Sequence, residues 1–199
     1  MRTAVILCGG RSARFGSDKA MLAIDGTPMI ARMVRRVLPI VDEIIIAARD
    51  RVQGEYIAEA ISNDLTVVYD PVTGYGPVAG IFAGMQASRS EYSVCLACDL
   101  PHINPDVIDA IFACAEDNDG DAAIPVHRNG MFEALHAVYG RPMIRACQSA
   151  MENRDRTVRS AISHLKRAVF VSTESLRRFD PDLRTFLNVN HPEDLGVIA

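Results

Sequence analysis

The sequence predicts an α/β domain with a largely parallel central sheet between two layers of helices. Two observations predict it. Strand-like apolar runs alternate with segments of helical period along the chain, the pattern of repeated strand–helix–strand units. A glycine-rich loop follows directly on the first of those runs, where a parallel sheet presents its ligand site. The chain has 199 residues, 49% hydrophobic and 23% charged. That is ordinary globular usage. At this length folding buries about 70% of the unfolded surface, so one domain over residues 1–199 is expected. The apolar content excludes disorder. Apolar runs such as Ile44–Ala48 fall far short of the ~20 residues of a membrane-spanning helix.

The elements follow in order. Ala4–Cys8 is a short apolar run stopped by Gly9-Gly10, the first strand. Met29, Ile30, Met33, Val34, Val37 and Leu38 recur at helical spacing and Pro39 ends that helix. Glu43–Ala48 reads as the second strand, Tyr56–Ile61 as a helix and Leu65–Tyr69 as the third strand. Residues 71–77 carry Gly74, Gly76 and Pro77 and read as a loop. A helix at Val78–Ala87, a strand at Tyr92–Cys98 and a helix at Pro105–Ala115 come next. Strands are expected at Ala122–Pro125, Met131–Val138 and Ala168–Val171, and helices at Pro142–Met151 and Thr157–Leu165. No internal repeat or low-complexity segment interrupts this order.

Charge and cysteine content narrow the function classes. Twenty-one Lys and Arg face 25 Asp and Glu, a net charge of −4. This is no nucleic-acid footprint, so an anionic substrate needs a local basic cluster. The five cysteines, with no export signal ahead of them, are expected as reduced thiols of a cytoplasmic protein. Cys95 and Cys98 form a CxxC, but on a strand residues three apart face opposite ways, and no second pair completes a zinc set.

In an open parallel sheet, ligands sit beyond the carboxyl ends of the strands. Three segments there carry chemistry. After the first strand, Gly9 to Lys19 holds three glycines with Arg11, Arg14 and Lys19. Glycines let backbone amides approach an anion, and the cations add charge where phosphates lie. No Lys-Ser or Lys-Thr follows Gly16, and Arg11 takes the second glycine position, so neither the Walker loop nor the dinucleotide fingerprint fits. After the third strand come Asp70 and the glycines between Gly74 and Gly80, which read either as a loop lying flat on a ligand or as a plain helix start. After the fourth comes Asp99, a carboxylate placed to hold Mg²⁺ bridging substrate phosphates and too far ahead of Pro105 to cap that helix. Near the end, Asn188 and Asn190 face one way on an extended segment, offering donors and acceptors to a polar heterocycle, with a helix cap as the competing role for Asn190.

Taken together, Gly9-Gly10-Arg11-Ser12-x-Arg14-Phe15-Gly16-x-Asp18-Lys19, Gly76-Pro77-Val78-Ala79-Gly80-Ile81, Cys98-Asp99-Leu100-Pro101 and Asn188-Val189-Asn190-x-Pro192-Glu193-Asp194-Leu195 resemble the molybdenum cofactor guanylyltransferase family. The resemblance spans the whole chain in the family's order. It implies a Rossmann-like three-layer α/β/α fold and transfer of GMP from GTP to the molybdopterin cofactor, with release of pyrophosphate. It also implies that Leu7, Cys8, Gly9, Gly10, Arg11 and Gly76 hold GTP, that Lys19 and Arg14 meet its phosphates, that Asp99 binds Mg²⁺ and that Asp70 contacts the nucleoside. Asn188 and Asn190 belong to the pterin side; Arg156, read from its own basic stretch, is either a contact to the pterin phosphate or part of a solvated face. Molybdoenzymes and other cofactor-biosynthesis proteins are the implied transient contacts. Cys8 and His191 stand where relatives carry Ala and Thr, and Ala47-Ala48-Arg49 where some carry an Asn. The competing readings are a CTP-dependent enzyme on the same cofactor, a GTP-dependent one on another phosphorylated metabolite, and a non-catalytic nucleotide-binding partner of a molybdoenzyme. Intact Lys19 and Asp99 argue against the last. Glu133 and His136, on opposite faces of a strand, are not expected as a dyad. His136 reads as a polar core residue, His102 as a loop residue, and Arg154 and Arg159 as a solvated face.

Overall fold

The computed structural model describes residues 1–9, 18–61, 65–71 and 75–189. The elements are β1 (Arg2–Leu7), β2 (Ala23–Ile24), β3 (Thr27–Pro28), α1 (Met29–Val37), β4 (Glu43–Ala48), α2 (Arg51–Ile61), β5 (Thr66–Tyr69), α3 (Pro77–Ala87), β6 (Tyr92–Ala97), α4 (Pro105–Asp117), β7 (Ala122–Val126), β8 (His136–Gly140), α5 (Pro142–Glu152), α6 (Val158–Ser163), β9 (Ala168–Ser172) and α7 (Thr173–Leu176). Seven strands form the central sheet in the order β5-β4-β1-β6-β8-β7-β9. β8 runs antiparallel to both neighbours, and every other pairing is parallel.

The strand period sorts the core into two layers. Ala4, Ile6, Ile44, Ile46, Val94 and Leu96 point to the face covered by α1, α2 and α4. Val5, Leu7, Ile45, Ala47 and Cys95 point to the face covered by α3, α5 and α6. With both faces covered, β1, β4 and β6 read as continuous apolar runs. Among the described residues no helix is long and apolar enough to cross a membrane.

The structure adds α7, which the sequence reading did not contain, and departs from that reading in five further places. Helix α2 starts at Arg51, five residues before the expected Tyr56, because Asp50 Oδ1 caps it by accepting from Gln53 N at 2.9 Å. The expected strand Met131–Val138 is β8 at His136–Gly140. Residues 131–135 fold back from a turn at Gly130 and meet the end of β7 in an isolated bridge, with Phe132 opposite Val126 and Glu133 N donating to Pro125 O at 2.9 Å. Leu38 leaves the buried face of α1, since Pro39 has no N–H for the α ladder and the chain tightens into a 3-10 turn, Leu38–Ile40. The predicted helix at Thr157–Leu165 shortens to α6, with Thr157 as its cap. The small hairpin β2–β3 carried no signal strong enough to predict from two residues per strand.

Candidate active site

β1 lies between β4 and β6, and the chain crosses from β5 on one side to β6 on the other through α3. A crevice forms at such a reversal of strand order, outside the carboxyl ends. The cleft found there is floored by Leu7, Cys8, Ala47, Ala97 and Cys98, and walled by Gly9, Lys19, Asp70, Asp99, Leu135 and the start of α3 at Gly76, Pro77 and Gly80. Of the residues read as nucleotide-binding, Leu7, Cys8, Gly9, Lys19, Asp70, Gly76 and Asp99 line this one cleft. Gly10, Arg11 and Arg14 lie outside the described residues.

Local structure positions each charged group. Asp18 Oδ1 accepts from Ala20 N at 3.0 Å and caps the short 3-10 turn Lys19–Met21. That turn aims Lys19 across the cleft, where its Nζ stands 3.1 Å from Asp99 Oδ2. The two residues lie 80 apart in sequence. About four-fifths of each side chain is buried, at 21% and 19% exposure, so this pair is poorly screened by solvent. Asp70 follows β5 and faces the backbone of Gly9 and Gly80. A Cβ on Gly9 would lie 3.1 Å from Asp70 Oδ2, and one on Gly80 3.4 Å from Asp70 Oδ1. Burial pushes the Asp70 carboxyl up to about 6, against the downward pull of Arg49. Gly76 adopts φ +60° at the start of α3, a backbone state that favours glycine. Gly80 belongs to α3 itself, so the glycine segment is a helix start in which Gly80 lets Leu7 and Asp70 approach, rather than a loop running to residue 80.

The C-terminal stretch is tied to the backbone of Asp99. Val189 N donates to Asp99 O at 2.9 Å, and buried Val189 packs with Ile24 and Met29. Asn188 is exposed next to it, and Asn190 lies outside the described residues. Arg156 is exposed, with its guanidinium 5.6 Å above the Tyr75 ring. Tyr75 precedes Gly76 of the cleft wall, and its hydroxyl donates to Met151 O at 3.2 Å.

The remaining candidates resolve as follows. Glu133 pairs with His127, Oε1 to Nε2 at 2.8 Å, and not with His136. His136 is buried against Phe186 with ring centroids 4.8 Å apart, and burial drops its pKa to about 3. His102 sits 3.2 Å from Arg184, outside the cleft lining. Arg159 stacks on Phe132, 4.6 Å from the ring centroid, while Arg154 is exposed. Cys95 and Cys98 belong to opposite layers of the core, so the CxxC is not a unit. Cys98 instead meets Cys8, and that thiol contact together with burial holds the Cys8 thiol well above its ordinary range. The sequence reading missed Leu135 and Gln53. The sole sequence signal for Gln53 is its place three residues after the capping Asp50.

Comparison with known proteins shows the family. A family model described as MobA-like NTP transferase domain matches residues 4–169. A probable molybdenum cofactor guanylyltransferase of Methanosarcina mazei is 37% identical over 199 residues, spanning 98% of this chain and 88% of its own. The molybdenum cofactor guanylyltransferase of Burkholderia ambifaria is 30% identical over 199 residues, spanning 99% and 95%. The crystal structure of molybdopterin-guanine dinucleotide biosynthesis protein A from Archaeoglobus fulgidus superposes with a TM-score of 0.85 at 28% identity, covering 99% of this chain and 96% of that one. With the match running through β1, the cleft and the sheet as far as β9, the chain belongs to the MobA-like NTP transferase family.

Proposed function

We propose that the protein is a molybdenum cofactor guanylyltransferase, transferring GMP from GTP to molybdopterin and releasing pyrophosphate. The observation that carries the reading is the meeting of Lys19 Nζ and Asp99 Oδ2 at 3.1 Å across the carboxyl ends of β1 and β6, in a chain whose relatives bear that name. The terminal phosphate of molybdopterin attacks the α-phosphorus of GTP. A new oxygen–phosphorus bond forms there and the bond to the β-phosphate bridge breaks. The attacking oxygen is already anionic, so no strong base is needed. The barrier lies in bringing anions together and in the charge gathered on pyrophosphate, which fixed cations relieve.

Lys19 supplies such a charge, with Arg14 as its expected companion. Gly9 lets the backbone approach the phosphates closely, and Asp70 accepts from the nucleoside. A hard carboxylate next to the phosphate position fits Mg²⁺, which takes one or two carboxylates and completes its shell with substrate oxygens and water. Asp99 is the residue that would hold it, and the ion supplies neutralising charge at the phosphates when bound. Asn188, Asn190 and Arg156 serve the pterin side. Reduced thiols suit work in the cytoplasm.

The test is a transfer assay with molybdopterin and each of GTP, CTP, ATP and UTP. GTP-dependent pyrophosphate release is expected, and Lys19→Ala should cut turnover more than GTP affinity, because its charge matters most as pyrophosphate departs. A CTP preference, or GTP binding with no turnover, overturns the proposal.

A further inference from the structure

We infer that Gln53 is a positioning residue for guanylyl transfer, whose buried side-chain amide ties the end of β1 to Asp18 and so fixes where Lys19 stands. The inference rests on the reading of Lys19 given above. Gln53 lies in the first turn of α2 and is 3% exposed. Its Nε2 donates to Cys8 O at 2.7 Å and also to Asp18 Oδ2. Its Oε1 accepts from Arg49 N at 2.7 Å. One amide therefore joins the two flanks of the glycine-rich segment, Cys8 before it and Asp18 after it, and anchors both to the start of α2. The other Asp18 oxygen accepts from Ala20 N at 3.0 Å. Gln53 thus holds the carboxylate that starts the Lys19–Met21 turn, and Lys19 is the first residue of that turn.

The choice of amide is the telling point. Capping a helix start through Arg49 N needs only an acceptor, which Glu supplies as well as Gln. Donating to a carbonyl and a carboxylate at once needs an NH₂ group, which a carboxylate lacks. A capping role alone therefore tolerates Gln53→Glu, whereas a positioning role does not.

The test measures kcat and KM for GTP in the transfer reaction, with melting temperature, for Gln53→Glu, Gln53→Met, the pair Gln53→Glu/Asp18→Asn, and Lys19→Ala. Misplacing a charged group by about 1 Å costs up to ~100-fold in rate, so a ten- to hundredfold loss of kcat is expected for Gln53→Glu, with KM changed less. The paired change exchanges donor and acceptor between positions 18 and 53 while keeping the Ala20 cap. It should recover part of that loss, because it restores the contact at the Asp18 end, which carries Lys19, while Cys8 O still faces an acceptor. If Gln53→Glu does not fold, Gln53→Met takes its place against the paired variant, with the same expected fall and recovery. Native kcat in Gln53→Glu or Gln53→Met, or no recovery in the paired variant, overturns the inference while a loss in Lys19→Ala leaves the phosphate reading standing. Native kcat in Lys19→Ala overturns both.

Discussion

Asp70 shows how the site trades stability for a charge. Burial raises its carboxyl to about 6, above the ~3.9 of an unfolded Asp. The folded state therefore binds that proton more tightly. Its contribution to stability is fully present below pH ~4 and is lost as pH rises through about 6. Asp70→Asn should then raise the melting temperature at pH 7.5 by roughly 2–4 °C, taking about 1 kcal/mol after discounting for solvent screening. The gain should vanish at pH 4, and GTP affinity at pH 7.5 should fall. A variant equally stabilised at both pH values would mean that the charge is not the cause. His136 titrates with the opposite sense in an overlapping window. Burial holds it at about 3, below its unfolded ~6.5, so its contribution is lost as pH falls from 6.5 towards 3, and the comparison must be made against the unsubstituted chain at each pH. At this scale Lys19, Asp70 and Asp99 were legible because their residue types follow strand ends. Gln53 was not, because its partners at Cys8 and Asp18 lie 45 and 35 residues away and a buried amide leaves no periodic trace.

Elements were legible wherever both faces of a strand are covered. β1, β4 and β6 are continuous apolar runs for that reason, and their ends fix the cleft. Less could be read where burial comes from close approach. Helix α3 lies against β1 through Gly80 and Gly84, one turn apart. A Cβ at Gly84 would fall 2.2 Å from Val5 Cγ1, and one at Gly80 2.6 Å from Leu7 Cδ2. Val5 is fully buried in β1 and has no room to retreat. Gly84→Ala gains about 1 kcal/mol of helix propensity but forces α3 off the sheet, and overpacking of this kind costs typically 1–3 kcal/mol. With so short a contact the steric term should win, lowering the melting temperature by several degrees and weakening GTP binding, since α3 carries Gly76 and Gly80 of the cleft wall. A melting point at or above that of the unsubstituted chain would show that the helix can slide without cost.

Across the whole molecule, groups from four strand ends converge on one cleft, with the C-terminal stretch bonded to the Asp99 backbone beside it, yet no cluster of three or more metal-ligating side chains forms among the described residues. Asp99 is instead shared with Lys19 at 3.1 Å. A divalent ion taking Asp99 would draw further ligands from water and from the phosphates, which arrive with the nucleotide. This couples the two bindings. Mg²⁺ alone should shift the melting temperature by less than about 1 °C, since a single carboxylate binds it weakly. A ligand held only by the folded state at a hundredfold excess over its dissociation constant adds about 2.7 kcal/mol, or roughly 5–11 °C in a chain of this size. GTP with Mg²⁺ should approach that shift, and GTP alone should fall well short of it. Asp99→Asn keeps the shape of the side chain and removes its charge. It should preserve the fold and the shift from GTP alone, and erase the extra shift from Mg²⁺. A full shift from Mg²⁺ without nucleotide would require a preformed metal site away from the phosphates. A Mg²⁺ increment surviving in Asp99→Asn would move the ion to another carboxylate, with Asp70 across the cleft the next to test.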